Sequence, residues 1–441
     1  MKLIQFILLS VFTILALGES VDEKFLDEIE KNGFLYFWEQ ADPITGQVKD
    51  RAFANGSKDD RHVSSIAATG FGLSVLVIAH NRNYFNQSLI EKRVMNTLKF
   101  IWENLEGHKG FFYHFVDMKT GKRVWNCELS SIDTAILING VLTSKEYFVN
   151  NEFIKETAMN IYRRVDYKWM LNGQKVLSMG WKPEEGFLKD SWNRYCELMM
   201  LVLQAIGSPS HPIPAEYWHS FARDKYKYEN YTFITVKSGA PLFVHQFSHA
   251  WYDFQGKHDN YADYFHNSVV ATKAHKLWMT TEMAQKFPLY DNLFWGVTAS
   301  DTINGYIAWG GPPIQGPIDG SVVPCATAGS IPFLPFETIA VLKYLKTKYP
   351  RSWHRYGFID AFNPDKNWYN QDVIGIDVGI SVLMVENFRT RFIWNTFMKN
   401  THVLKSMEMA GFKRNSGEKK YFKELEFFLI IISVIIINYI N

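Results

Sequence analysis

Two acidic residues and a tryptophan stand close together in residues 125–134 (WNCELSSIDT), where an apolar helix is expected to begin. Ser130 or Ser131 is a suitable N-cap, so Glu128 precedes the cap and Asp133 lies in the first turn, where the helix dipole favours negative charge. Either acid could simply stabilise this helix terminus. Alternatively, the pair fits carbohydrate cleavage, because acetal hydrolysis needs two carboxyl groups and sugar rings stack on indoles.

A second acid follows the same pattern in residues 192–197 (WNRYCE), directly before the apolar run 198–205. Glu197 follows two aromatic residues, whose apolar surroundings would raise its pKa and keep it protonated. Glu197 is therefore the candidate general acid. Asp377 lies in a glycine-rich turn at a helix start, a setting that keeps a carboxylate ionised, and is the candidate base or nucleophile. Glu128 or Asp133 could replace either one.

Composition indicates a globular chain with an unusually aromatic interior. Hydrophobic residues make up 47% of the 441 residues and aromatic residues 16%, which is ample for a sizeable core. The net charge is +2 and no long basic run occurs, so an electrostatic nucleic-acid footprint is not expected. We expect a monomer that binds an oligo- or polysaccharide.

The two ends of the chain read as targeting segments. Lys2 followed by the apolar run 3–17 and a small-residue site predicts a signal peptide over residues 1–18. The catalytic domain is predicted over 22–412, followed by a polar spacer, 413–426, and an apolar tail, 427–441. The tail is short for a membrane span, so a lipid-anchor signal and a short tail anchor both fit. These features predict the secretory pathway, with an extracellular or surface location and membrane contact through the tail.

The three cysteines are too few for a disulfide framework. Cys127 and Cys196 each neighbour a candidate acid, which makes a bridge between them conceivable, but independent buried thiols are favoured. Sequons at Asn55, Asn86 and Asn230 could carry glycans on a secreted chain, although chance would produce about as many in a chain this rich in Asn.

Helical segments separated by long turns recur along the chain, and no linker divides residues 22–412. About twelve helices are predicted, many with a period of 3.6 residues. They cover 22–39, 65–80, 87–105, 131–148, 152–165, 192–206, 215–226, 242–254, 261–287, 334–348, 378–398 and 401–410. Short β-hairpins are expected between them, for example 110–115 with 123–125. Sequential helix pairs without parallel strands predict an all-α fold, an α/α toroid with a double ring of helices, and not a doubly wound sheet.

Further polar-aromatic segments occur in a fixed order. They read GQVKDR (46–51), SSIAATGFG (64–72), MGWKP (179–183), GAPLFVHQFSHAWYDF (239–254), FWGVTASD (294–301), YGFIDAFN (356–363) and GIDVG (375–379). In this order they resemble the bacterial glucoamylase-like family, whose relatives include endo-β-1,2-glucanases and the glucan-processing domain of cyclic β-1,2-glucan synthases. The resemblance spans about residues 25–412.

The resemblance implies an (α/α)6 toroid, hydrolysis of a β-linked glucan, with β-1,2-glucan favoured, and no obligatory cofactor. The family pattern has Ser where this chain has Cys196, and Gln-Gly-Pro where it has residues 378–380 (VGI). The expected substrate-binding residues are Asp50, Arg51, Trp125, Trp181, Trp192, Tyr195, His245, Gln246, His249, Trp295 and Asp301.

Two alternatives remain open. His245 and His249 have the i,i+4 spacing of a metal site, but residue 246 is Gln rather than the Glu of zinc proteases, so sugar binding or a hydrogen-bonded core is favoured and no metal is expected. The alternative to an enzyme is a catalytically inactive glycan-binding surface protein that retains the cleft. The acids at the helix mouths argue against that alternative, since a lectin would need only the aromatic residues.

Overall fold

The computed structural model describes residues 22–236, 239–312, 316 and 318–415. The predicted signal peptide, the C-terminal tail and most of the spacer lie outside these residues. The helices are α1 (22–39), α2 (Ile66–Arg82), α3 (Gln87–Glu103), α4 (Ser131–Tyr147), α5 (Glu152–Arg163), α6 (Tyr167–Met170), α7 (Met199–Gly207), α8 (Tyr264–Thr281), α9 (Pro324–Ala328), α10 (Pro335–Lys348), α11 (Gly375–Thr390), α12 (Phe392–Phe397) and α13 (Thr401–Met409).

The strands are short and lie between the helices. They are β1 (Arg51–Phe53), β2 (Val63–Ser65), β3 (Gly107–His108), β4 (Phe111–Phe112), β5 (Phe115–Asp117), β6 (Leu129–Ser130), β7 (Gly180–Lys182), β8 (Gly186–Phe187), β9 (Lys225–Tyr228), β10 (Tyr231–Ile234), β11 (Lys257–His258), β12 (Ala299–Thr302), β13 (Gly305–Ala308), β14 (Trp353–His354), β15 (Gly357–Phe358), β16 (Phe362–Asn363), β17 (Trp368–Tyr369), β18 (Asp372–Ile374) and β19 (Lys413–Arg414). Across the described part of the chain they form two- and three-stranded antiparallel sheets.

An inner ring of buried helices forms the core, and amphipathic helices pack around it. The inner helices are α2, α4, α7, α9 and α11; α2 packs against α4 and α11, α4 packs against α7, and α11 packs against α9. Every residue of α7 and residues 66–79 of α2 are buried, as their nearly uniform apolar sequence predicts. The double ring of an (α/α)6 toroid is thereby confirmed.

Glycine allows the two most extensively packed inner helices to cross at backbone distance. A Cβ atom on Gly140 would lie 2.0 Å from the carbonyl oxygen of Gly70, and one on Gly70 would lie 2.5 Å from the carbonyl oxygen of Ile136. On the other side of α2, a Cβ atom on Gly379 would lie 2.4 Å from the ring of Phe71. Small residues therefore fix the spacing of α4, α2 and α11.

Several predicted helices differ from the observed ones. Residues 192–198 form a loop and a turn before α7, and 215–226 contains a 3-10 turn, Ala215–His219, followed by β9. Residues 242–254 form two 3-10 turns, Leu242–His245 and Phe247–Ala250, instead of one helix. Apolar content misled the prediction here, because buried irregular chain and buried helix share the same composition. The predicted 110–125 hairpin is reduced to one bridge, Val116 with Arg123.

The folded part extends slightly past the predicted end of the domain. Lys413 and Arg414 form β19, which pairs with β11, and Asn415 hydrogen-bonds His258 and Asp263. The first residues of the predicted spacer therefore pack on the domain. Among the described residues, no helix combines the length and the apolar character needed to cross a membrane.

We expect Gly140→Ala to lower the free energy of unfolding by about 3 kcal/mol, because the added methyl group would overlap the backbone of α2. Thermal unfolding followed by circular dichroism measures the change. Gly173→Ala is the control: its Cβ would meet nothing within 4 Å, so only its left-handed backbone (φ +75°) costs about 1 kcal/mol. Equal effects of the two substitutions would contradict the close crossing.

Candidate active site

The N-terminal ends of four inner helices meet at one cavity of about 260 Å³. Its wall includes Ser65 before α2, Asp133 in α4, Glu197 before α7 and Ile376 in α11. The N-caps of α2 and α4 are Ser65 and Ser130. Their side chains accept hydrogen bonds from the backbone N–H groups of Ala68 and Asp133, respectively. Helix N-termini carry partial positive charge, so this cavity favours anionic side chains and developing negative charge.

Glu197 lies on the cavity wall in the turn before α7, as expected. Its carbonyl oxygen accepts a hydrogen bond from Ser248 Oγ (2.7 Å), and the same hydroxyl accepts the N–H of Met200 (3.1 Å), which fixes the turn. Burial raises the pKa of Glu197 to about 7; hydrogen bonds from its own backbone and from Cys196 oppose this rise, and the charge of Asp133 adds to it. A large fraction of Glu197 is therefore protonated at neutral pH, as a general acid requires.

Asp133 lies on the same cavity wall, where the N-cap of α4 positions it. The hydroxyl of Ser130 donates to Asp133 Oδ2 (2.5 Å), while the N–H of Asp133 donates to Ser130 Oγ (3.2 Å). The imidazole Nε2 of His114 lies 3.6 Å from the same oxygen, Oδ2. Within the described residues no hydrogen bond reaches Asp133 Oδ1, so this oxygen is left for a ligand in the cavity.

Glu128 lies just outside α4 and faces the other nitrogen of the same histidine. His114 Nδ1 is 3.0 Å from Glu128 Oε1, and this hydrogen bond lowers the pKa of Glu128 despite its partial burial. Glu128 does not line the cavity that holds Glu197 and Asp133. The structure therefore places Glu128 as an ionised partner of His114 behind the cavity wall.

Asp50, Arg51 and Asp301 come together as the sequence analysis expected, although Asp301 is 250 residues from Arg51 in the chain. Arg51 Nη1 lies 2.8 Å from Asp301 Oδ2, and Arg51 Nε lies 3.2 Å from Asp50 Oδ2. Burial raises the pKa of Asp50, and the charge of Arg51 opposes this rise. Asp50 and Arg51 line the cavity, and Asp301 holds Arg51 from behind.

Asp377 lies behind the main cavity rather than on its wall. It faces Asp360 and Cys325 beside a small cavity of about 30 Å³. The glycine-rich turn predicts an ionised carboxylate at Asp377. Burial instead raises the pKa of both Asp377 and Asp360. For Asp360 the negative charge of Asp377 raises the pKa further. One oxygen on each, Asp360 Oδ1 and Asp377 Oδ2, has no hydrogen-bond partner among the described residues, as expected if a shared proton joins the two carboxyl groups.

Trp125, Trp181 and Trp192, which are predicted to bind substrate, do not line one common cavity. Trp125 is 68% exposed and packs against Phe115, a residue of the cavity wall, so its indole lies at the rim. Trp192 is buried, donates to Ser131 Oγ (2.8 Å) and, with Cys196, lines a second cavity of about 380 Å³. Trp181 stacks on His108 and lines neither cavity.

Five residues predicted to bind substrate are placed in the core instead: Tyr195, His245, Gln246, His249 and Trp295. Tyr195 and Thr235 hydrogen-bond His245, Ser268 hydrogen-bonds His249, and burial lowers the pKa of both histidines to about 3. Gln246 donates to the carbonyl of Ala326 and to Ser330. Residue type and spacing cannot show whether a polar side chain in a loop or a 3-10 turn faces the cavity or the core. No group of three or more His, Cys, Asp or Glu side chains in the described residues is arranged to hold a metal ion.

All three cysteines, Cys127, Cys196 and Cys325, are free and buried, which confirms the favoured prediction of independent thiols. Cys196 adjoins Glu197, and Cys325 adjoins Asp377.

Sequence reasoning missed His114, Phe115, Tyr306 and Asp360. The histidine among aromatic residues in FFYHF (111–115) and the motif YGFIDAFN (356–363), which contains Asp360, are the available signals. Tyr306 belongs to β13, a short strand that no periodic pattern marks.

We expect Asp360→Asn to stabilise the protein increasingly as the pH rises above about 4. The pKa of Asp360 is higher in the folded state than in the unfolded state. The protonated carboxyl group therefore stabilises the wild type fully below the unfolded-state pKa, and this stabilisation is lost as the pH rises through the folded-state pKa. The neutral amide avoids this loss. Thermal unfolding of both proteins between pH 4 and pH 7.5 measures the difference, with the exposed Asp365→Asn as control. Parallel curves for wild type and Asp360→Asn would contradict the shared proton.

The amino-acid sequence is similar to a family model and to a known glycoside hydrolase. Residues 189–401 match a family model, Glycoamylase, described as "Putative glucoamylase". An exo β-1,2-glucooligosaccharide sophorohydrolase (non-reducing end) from Parabacteroides distasonis is 27% identical over 428 residues, covering 88% of this chain. The chain spans 58% of the length of that relative.

Solved structures share the fold over most of the chain. An endo-β-1,2-glucanase from Chitinophaga pinensis, solved with sophorotriose and glucose, superposes with a TM-score of 0.83 at 27% identity, covering 89% of this chain and 98% of that one. An endo-β-1,2-glucanase from Talaromyces funiculosus shares the fold at a TM-score of 0.59 and 12% identity, covering 88% and 90% of the two chains. With the helix rings and the ordered motifs, these matches show that the chain is similar to the glucoamylase-like family and shares its fold.

Proposed function

We propose that this protein is a glycoside hydrolase that cleaves glucosidic bonds of a β-1,2-glucan, with Glu197 as the general acid. The observation that carries the proposal is one cavity at the helix mouths that holds a carboxyl group with a pKa of about 7 beside a second carboxyl group, Asp133. Glycoside hydrolysis requires two carboxyl groups at the scissile bond, one of which is protonated and can donate to the leaving oxygen.

In the proposed reaction, Glu197 donates its proton to the glycosidic oxygen as the bond between that oxygen and the anomeric carbon breaks. Asp133 then either takes a proton from the attacking water or attacks the anomeric carbon itself. In the first case water supplies the new hydroxyl group, and the proton it loses compensates for the one Glu197 gave. In the second case water then cleaves the ester bond between Asp133 and the sugar and loses a proton to Glu197, which frees Asp133 and restores the protonated acid. No cofactor enters either sequence.

Asp133 is favoured as the second group because it shares the cavity wall with Glu197, whereas Asp377 lies behind it. Asp377 remains the second candidate, since it adjoins Tyr306 of the cavity wall. Glu128 is a weaker candidate, because its carboxylate is engaged by His114 and does not line the cavity.

The substrate assignment draws on the relatives whose names specify β-1,2-linked glucans. Phe115 on the wall and the exposed Trp125 at the rim offer aromatic surface for sugar rings, and Asp50 and Arg51 offer hydrogen bonds to hydroxyl groups. We further propose secretion, on the basis of the leader-like residues 1–18, and attachment to a membrane through 427–441.

We expect Glu197→Gln to reduce the turnover of β-1,2-glucan by about 10²-fold or more without weakening substrate binding, because the amide cannot donate a proton to the leaving oxygen. Turnover by the wild type should fall as the pH rises through about 7, where Glu197 ionises. Reducing-end release and calorimetric binding are the measurements, with Glu185→Gln on the surface as control. A wild type that binds glucans but releases no reducing ends would be a glycan-binding protein instead.

The identity of the second carboxyl group follows from a pair of variants. We expect Asp133→Asn to reduce turnover by about 10²-fold or more. Asp377→Asn should have a smaller effect, because its carboxyl group lies behind the cavity wall. Initial rates at a saturating glucan concentration compare the two, with the melting temperature of each variant as a check on folding. The opposite order of effects would assign the base or nucleophile to Asp377.

A further inference from the structure

His114 lies between two carboxyl groups, with one ring nitrogen facing each. Nδ1 is 3.0 Å from Glu128 Oε1, and Nε2 is 3.6 Å from Asp133 Oδ2. The ring also lies flat against Phe115, with centroids 3.9 Å apart and an interplanar angle of 15°. A neutral imidazole has one N–H group and could serve only one of these oxygens as a donor, whereas an imidazolium serves both.

The charged groups around His114 favour the same conclusion. Three acids from different parts of the chain stabilise the charged ring of His114. Glu128 directly precedes β6, Asp133 belongs to α4, and Asp50 directly precedes β1. Two cations lie near these acids. The charge of Lys182 in β7 lowers the pKa of Glu128, and Arg51 forms an ion pair with Asp50, so each cation has an acid as its neighbour. Burial by itself would lower the pKa of His114, but Asp133, Glu128 and Asp50 together raise it to about 9.

We propose that His114 is a positioning residue: its imidazolium, anchored by Glu128, holds Asp133 ionised and oriented beside Glu197. The role rests on the proposed function, in which Asp133 acts as the second carboxyl group. A cation at 3.6 Å lowers the energy of the carboxylate relative to the carboxylic acid. Ser130 and His114 both engage Oδ2, which leaves Oδ1 to take the proton from water or to attack the sugar.

This arrangement separates the protonation states of two acids that share one cavity. Burial favours the neutral form of Glu197, while Asp133 accepts a hydrogen bond from Ser130 and lies 3.6 Å from the His114 ring. Glu128 anchors the imidazolium from the other side, because it is the partner of His114 Nδ1. Without Glu128, Asp133 and Asp50 would be the remaining acids that stabilise the charged ring. The segment FFYHF (111–115) thus contributes to the chemistry although His114 does not act on the substrate.

The test is the pH dependence of turnover in His114→Gln, which retains a hydrogen-bond donor but no positive charge. We expect the acid limb of the profile to move to higher pH by about one unit or more, while the limb near pH 7 set by Glu197 stays in place. A purely structural role would lower the rate or the melting temperature without moving the acid limb. An acid limb at the wild-type pH would overturn the proposal.

His62→Gln is the matched control, because His62 Nε2 also lies 3.6 Å from a carboxylate, Asp117, but is 63% exposed and outside the cavity. Its profile should match that of the wild type. Should His114→Gln fail to fold, ¹⁵N spectra of the wild-type histidine rings decide the charge state, with the His114 signal assigned by its through-space contact with the Phe115 ring. Two protonated nitrogens at pH 7 support the proposal.

The outcomes separate this inference from the proposed function. A neutral His114 ring at pH 7 in an active enzyme would overturn the inference and leave the hydrolase assignment intact. Absence of wild-type hydrolysis of every glucan would overturn the proposed function and, with it, the positioning role of His114.

Discussion

The backbone-to-backbone crossing of α2 and α4 is the constraint on which the rest of the structure depends. Gly70 and Gly140 lie where any side chain would overlap the opposite helix, and Gly379 allows the ring of Phe71 against α11. These contacts hold three inner helices at fixed spacing, and serine N-caps begin α2 and α4 on the same side. The N-termini therefore meet around one cavity, which positions acids that are far apart in the chain.

The environment of each acid, rather than its chemical type, decides its protonation state in that cavity. Burial raises the pKa of Glu197 to about 7, whereas a cap hydroxyl and a histidine contact Asp133. The histidine is itself held by Glu128 and stacked on Phe115. Two carboxyl groups in different surroundings within one cavity provide the asymmetry that acid–base chemistry at a glycosidic bond needs.

A buried polar network links the hairpin β12–β13 to the start of α11. Asp301 accepts from Arg51 and Asn370, its backbone N–H donates to Asp360, and Asp360 faces Asp377. Because an unpaired buried charge is costly, these groups depend on one another for partners. The network explains why Asp377 is protected from the cavity, and it makes the long loops a part of the site.

The sequence by itself determined the class of fold, most helices and the acids at the mouths of α4 and α7, because 3.6-residue periodicity and capping residues are local signals. It also identified the motif order that resembles the glucoamylase-like family. Only the tertiary structure decided which side chains face the cavity: it buries His245 and Trp295, moves Asp377 behind the wall and brings His114 between Glu128 and Asp133. The physical reason is that facing direction, burial and charge pairing arise from contacts between distant segments, which residue type and spacing along one chain do not encode.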